Sequence, residues 1–271
     1  MRRTGRRSLT ERLAFLILAL LLAEPGAALD LFTLWQRPEL PLNLAAGSRV
    51  DYRRQALTEG RRRDDILRVQ CLGRDRDGHW VLEVLQLVEL EPDSLVVVPG
   101  EGLRLHLTGS FVERRGDLSA AVAEVHLWRD GERSELVGDE WRRDPLVTAS
   151  FSGEFEPDTV REVDPTVRVI GAHELRCRQW EYAAADTQRA TLPAGEMVQI
   201  SRQEVAAAVH EDIPLLGLAY VTERLRAEST LDPPSDRFAP PPPQIRVEML
   251  ECLAFARDAT PVLGPFERAE D

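Results

Sequence analysis

The chain has no lysine, one asparagine (Asn43) and only three cysteines among its 271 residues. Each shortage excludes something. Asn43 is followed by Leu44-Ala45, so no N-glycosylation sequon exists. Three scattered cysteines with no CxxC pair make a poor structural zinc site, and an odd number in an oxidising compartment permits at most one internal disulfide. The motifs of several common chemistries are missing as well: there is no GxSxG elbow, no HExxH, no GxxxxGK[ST] phosphate loop and no GxGxxG. Positive charge comes from arginine alone and is outweighed, 34 basic residues against 46 acidic ones, a net of −12. Such a surface repels nucleic acid and anionic lipid headgroups.

Long apolar runs are also scarce. The one at the amino terminus, Leu13 to Ala23, is eleven residues long, well short of the roughly 20 that a membrane-spanning helix needs. Arg2, Arg3, Arg6, Arg7 and Arg12 precede or open it, and Glu24-Pro25 then Gly26-Ala27-Ala28 follow it. That order is the order of a secretory signal peptide, so export is expected, with cleavage after Ala28 and no membrane-spanning segment in the mature chain. Removing residues 1–28 takes five arginines and two acids from the chain and leaves a net charge of −15. Amino-terminal sequencing of the exported product should begin near Leu29; soluble protein retaining Met1 would contradict this.

From Arg49 onward the dominant period is two. Val50 to Leu57, Ile66 to Gly73 and Trp80 to Leu90 are predicted strands, with Trp80, Leu82, Val84, Val88 and Leu90 on one face of the third. Asp77-Gly78 supplies the turn between the second and third. Leu95 to Val98 and Leu103 to Leu107 follow, then a hairpin joining Val125–Trp128 to Glu135–Val137 across Asp130-Gly131. Val147 to Phe155, Val167 to Ile170, Leu175 to Ala183, Gln188 to Leu192, Met197 to Ile200, Leu218 to Leu225 and Ile245 to Phe255 complete the set. One helix is predicted after Ser201, because Ser201 and Glu204 have capping-box spacing.

These elements imply a mainly β protein: a single curved antiparallel sheet, a half barrel or open barrel of about ten strands, with one short helix. A two-sheet sandwich is the alternative. The expected organisation is a signal peptide over 1–28, an amino-terminal covering segment over 29–48 and an antiparallel β domain over 49–258. A proline-rich linker at 232–244 precedes the last strand, and 259–271 form a polar tail. A monomer is expected.

Parity places Cys71 with Leu67 and Val69, and Cys177 with Leu175, on the apolar side, whereas Cys252 shares parity with Arg246 and Glu248. Of the three pairings this favours Cys71 with Cys177. The five histidines, His79, His106, His126, His173 and His210, are scattered in sequence. His126 sits two residues from Glu124, and His210 precedes Glu211-Asp212. Solvated or hydrogen-bonded imidazoles are expected, and neither a metal nor another cofactor is assigned. Glu83, Glu89 and Glu91 share one strand face, and Glu89 with Glu91 has the roughly 7 Å spacing that a carboxylate-based glycoside hydrolase needs. In so acidic a chain such spacing is expected by composition. No catalytic residue is assigned.

Several spaced elements together resemble a known type: Leu34-Trp35 then Pro38, Gly47-Ser48-Arg49-Val50-Asp51-Tyr52, Gly78-His79-Trp80, the Val167 to Cys177 strand pair, and Ile213-Pro214-Leu215-Leu216-Gly217-Leu218. In outline the chain resembles exported bacterial proteins of the periplasmic lipoprotein-carrier type, the LolA/LolB-like half barrels. The resemblance implies an unclosed barrel over an apolar cavity and a carrier role for a hydrophobic small molecule or a lipidated protein. It transfers no individual binding residue. Trp80, Leu82, Val84 and Val88 are the expected ligand contacts, because they line one face of a strand too long for a two-turn helix to cover. A structural or protein-interaction module of the cell envelope is the competing class.

Overall fold

The computed structural model describes residues 34–58, 61–91, 94–114, 121–136, 156–192, 195–232 and 240–269. Alternating side chains produce eleven strands: β1 (Ser48–Thr58), β2 (Arg61–Arg74), β3 (Trp80–Glu91), β4 (Ser94–Leu107), β5 (Val122–Arg129), β6 (Glu132–Leu136), β7 (Thr159–Ile170), β8 (His173–Leu192), β9 (Gly195–Val209), β10 (Leu218–Asp232) and β11 (Gln244–Ala256). They form one antiparallel sheet in the order β6-β5-β4-β3-β2-β1-β11-β10-β9-β8-β7. Two meanders are therefore fused where the last strand returns to the first, with Tyr52 opposite Cys252. The sheet does not close into a barrel. It curls, however: His173 of β8 meets Phe255 of β11 with ring centroids 5.0 Å apart, and the Arg168 guanidinium of β7 sits 4.3 Å from the ring of Tyr220 on β10. The expected curved antiparallel sheet is what the chain forms.

The Asp77-Gly78 turn is present, with Gly78 at φ 82° and the Asp75 amide donating to the His79 carbonyl at 3.0 Å. The Asp130-Gly131 hairpin joins β5 to β6 as expected, with both turn residues at positive φ. The predicted strand Val147 to Phe155 lies outside the described residues.

The helix predicted after Ser201 is not formed. Ser201 lies within β9, opposite Asp186 of β8 on one side and Ala227 of β10 on the other. The capping box is overridden because Met197, Val205, Ala207 and Val209 alternate into the core, and both flanking strands supply ladder partners along the whole length. A two-turn helix there would bury less and leave two strands unpaired. The short helix is instead α1 (Gly109–Glu113), where the Thr108 side chain accepts the Ser110 amide and Arg114 at φ 53° ends the turn. No helix among the described residues is long and apolar enough to cross a membrane.

Both faces of the sheet are covered. The inner face, carrying Val50, Tyr52, Val69, Leu82, Val84, Leu103 and Leu105, packs under Leu34, Trp35 and Leu40 of the amino-terminal segment, Phe111 of α1 and the 213–216 loop. Trp35 and Phe111 stack at 5.0 Å with their planes nearly parallel. The Arg114 guanidinium donates to the carbonyls of Arg37 and Leu40, and Asn43 pairs with Leu215 as an isolated bridge, so the segment is pinned at both ends.

The outer face is closed by residues that the sequence suggested were a polar tail. Leu263 is buried against Leu85 and Trp128. Beneath it lies Glu83, wholly buried, whose carboxylate accepts from Gln70 at 2.6 Å, from Arg104 Nη2 at 2.6 Å and from the amides of Val262 and Leu263 at 3.0 and 3.2 Å. Arg104 also donates to the carbonyls of Gly264 and Pro265, and Gln70 to that of Thr260. The buried charge is therefore paired and hydrogen-bonded on both sides.

All three cysteines are buried free thiols. Cys71 and Cys177 face inward as parity predicted, but no disulfide joins them. Cys252 is buried beside them in the same core, where a register shift between Asp51 and Tyr52 places it opposite Tyr52. Burial pushes the Cys71 thiol up to about 11; burial and the Asp51 carboxylate push Cys252 up to about 12; burial raises Cys177 as well. Thiolate, the reactive form, is thereby suppressed. Native protein should react slowly with Ellman's reagent and release three equivalents only in denaturant. One fast equivalent in native buffer would contradict the buried arrangement.

Candidate ligand-binding face and a histidine cluster

The expected contacts Trp80, Leu82, Val84 and Val88 do not share one environment. Leu82 and Val84 are shut off from solvent beneath the amino-terminal segment, and Trp80 is half-buried with the Arg74 guanidinium 5.0 Å from its ring. Val88 is 40% exposed. On the same face Gln86, which is exposed, separates covered Val84 from Val88, although β3 pairs with β2 without interruption from Ile66–Leu87 to Cys71–Leu82. Beyond it Val88 stands directly opposite Val96, itself 41% exposed, and Leu90 is 69% exposed. An exposed apolar cluster thus stands on two paired strands, one polar residue beyond the part of the face plugged by the amino-terminal segment.

The plug is imperfectly seated. Arg37 Nε, Glu39 Oε2 and Trp180 Nε1 are buried without a hydrogen-bond partner among the described residues. Each such atom costs roughly 1–3 kcal/mol relative to a satisfied one, so this interface is weaker than its apolar area suggests. Burial and the Glu39 charge push the Tyr182 phenol well above its ordinary range at the same place.

A cleft of about 440 Å³ opens where the plug crosses the ends of β8 and β9. Pro38, Leu40, Pro41 and Val209 give it an apolar wall; Glu39, Arg176, Arg178, His210 and Glu211 give it a charged rim. It is separate from the Trp80 face. Sequence reasoning did not find it, because its walls come from segments about 140 to 170 positions apart that only the sheet order brings together.

Two of the three glutamates on the strand face of the glycosidase pattern are engaged by other residues. Glu83 is engaged by four donors, and Glu89 lies 3.4 Å from Arg53. Trp35 and Trp128 are buried and Trp80 and Trp180 half-buried, while Trp141 lies outside the described residues.

The histidines are less scattered than they look in sequence. His106 on β4 is opposite both Val81 and Glu124, and Arg104 is opposite His126, so β4 and β5 set His106, Glu124 and His126 side by side. The β2–β3 turn then brings Asp75 and His79 to the same end of the outer face. His106 Nδ1 is 2.6 Å from Asp75 Oδ2 and His79 Nδ1 is 3.7 Å from it. His126 lies 3.5 Å from Glu124, with Arg133 Nη2 3.1 Å from its Nδ1. Burial works to raise the Asp75 carboxyl, but hydrogen bonds from His106 and the His79 amide, with the charge of both imidazoles, hold it below its ordinary value. Comparison with known protein families and with characterised proteins finds no match for the chain.

Proposed function

We propose that this is an exported, non-catalytic binding or carrier protein for a hydrophobic small molecule or the acyl chain of a lipidated protein. The observation that carries the reading is the exposed apolar cluster of Val88, Val96 and Leu90, which follows the covered inner face after one polar residue, Gln86. A ligand chain would lie on this cluster and extend toward Leu82 and Val84 by displacing part of residues 34–44, whose unpartnered polar atoms lower the cost of that displacement. Each methylene moved from water is worth about 0.8 kcal/mol, enough to compete with so short a segment.

Myristic acid or a myristoylated peptide should raise the melting temperature in proportion to the logarithm of its concentration above the dissociation constant. Val88→Asp and Val96→Asp, both at half-exposed positions, should fold normally and weaken binding about tenfold or more, since each sets a carboxylate against the acyl chain. Equal shifts in wild type and both variants would overturn the assignment of this face. The packing of the inner face under Leu34, Trp35, Leu40 and Phe111 favours the second reading, a protein-interaction module of the envelope. That reading gains if no acyl ligand shifts the melting temperature while the same two variants abolish association with a protein partner.

A further inference from the structure

A second site, independent of the carrier reading, lies at the end of the outer face. We propose that Asp75, His79 and His106 bind a single divalent first-row transition ion such as Zn²⁺, with the remaining coordination position open to water or an anion. The three ligand atoms, Asp75 Oδ2 and one imidazole nitrogen from each histidine, lie within 4.8 Å of one another. The distances 2.6 and 3.7 Å from Asp75 Oδ2 to the two Nδ1 atoms bracket the roughly 3.4 Å between two ligands on a tetrahedral ion with bonds of about 2.1 Å.

Shifts of well under an ångström would centre the ion. Two imidazoles converge on one carboxylate oxygen, whereas an ordinary hydrogen bond to Asp75 Oδ2 needs only one of them. The ligand oxygen is presented by a built support: Asp75 Oδ1 accepts the amides of Asp77 and His79 at 3.0 and 2.9 Å, which turns Oδ2 toward the histidines. Such outer contacts fix a ligand's orientation before the metal arrives.

The turn is itself tight, closed by hydrogen bonds between Asp75 and His79 and between Gly78 and Asp75, while His106, the penultimate residue of β4, is held between Val81 of β3 and Glu124 of β5. The ligands therefore sit on rigid elements. Their side chains are 13, 30 and 15% exposed, so an ion can enter from solvent. The neighbouring triad of His106, Glu124 and His126 also converges. It is the poorer candidate, because the Arg133 guanidinium lies 3.1 and 3.2 Å from the two nitrogens of His126 and sets a positive charge where the ion would go.

Binding exchanges the His106–Asp75 hydrogen bond for two metal bonds: both imidazoles ligate as neutral donors, and any proton held on a ligating nitrogen leaves to solvent. No electron is transferred.

The full chain, stripped with chelator and dialysed, should bind one equivalent of Zn²⁺ in a calorimetric titration, and Co²⁺ should give the strong visible bands of a tetrahedral site. His79→Ala, at a half-exposed turn position, and His106→Gln should each weaken Zn²⁺ binding about 100-fold or more, since even loss of an outer-shell partner costs about 10–100-fold. His126→Ala should leave both stoichiometry and affinity unchanged. Circular dichroism of each variant, with a Zn²⁺-dependent rise in wild-type melting temperature, separates loss of site from loss of fold. Failure of wild type to bind, undiminished binding in folded His79→Ala, or a loss confined to His126→Ala would each overturn the assignment.

Discussion

Replacing Arg104 by alanine should lower the unfolding free energy by about 3–5 kcal/mol, because it leaves the wholly buried Glu83 carboxylate without its compensating charge. The loss extends beyond the pair. Arg104 also holds the carbonyls of Gly264 and Pro265, so the segment that closes the outer face should loosen with it. Trypsin should then cleave at exposed Arg257 in native buffer, a new cut expected once the segment that follows is no longer held by Arg104. Glu83→Gln on the Arg104→Met background should recover part of the lost stability, since the two changes act within one network and their costs are not additive. Denaturant unfolding of the four proteins measures this. A loss below about 1 kcal/mol for Arg104→Ala, with no new cleavage, would contradict the structural role given to the pair.

Trp35→Ala should have a cost of similar size, about 3–5 kcal/mol, as a buried tryptophan stacked on Phe111 is removed and the amino-terminal segment loses its anchor. On the carrier reading this substitution has an opposite effect on ligand. The segment and the acyl chain compete for one face, so weakening the segment raises the population competent to bind, and apparent affinity rises with that population. If the whole cost falls on the closing equilibrium, the gain is on the order of 100- to 1,000-fold or more. Weaker acyl binding in Trp35→Ala would instead make Trp35 part of the ligand's own pocket.

The sheet was legible in the sequence because its physics is local. Alternation in Val50 to Leu57, Trp80 to Leu90 and Ile245 to Phe255 predicts strands that form as β1, β3 and β11. Ser201 misled because a capping box is a statement about a few residues, while β9 is stabilised by two flanking strands that a window of that size cannot see. The Glu83 network was illegible for the same reason. Its amide donors are 179 and 180 positions away, and a lone acidic residue within a strand is ordinarily a solvated one. The histidine cluster was half legible: His126 near Glu124 could be read, but His106 with Asp75 needed the pairing register. Cys252 was set apart on the parity of Arg246 and Glu248, but those two are themselves largely buried, with Arg246 between Glu223 and Glu248, on the same face as Leu250 and Cys252.

Photoaffinity labelling places the acyl chain most directly. A myristic acid analogue carrying a diazirine on its chain, irradiated with the full protein and mapped by mass spectrometry, should label peptides of β3 and β4 around Val88 and Val96. Amide exchange in residues 34–44 should rise at the same ligand concentration, as the segment yields the inner face. Label confined to the cleft around Arg176 and His210, or no saturable label while the segment stays protected, would contradict the account.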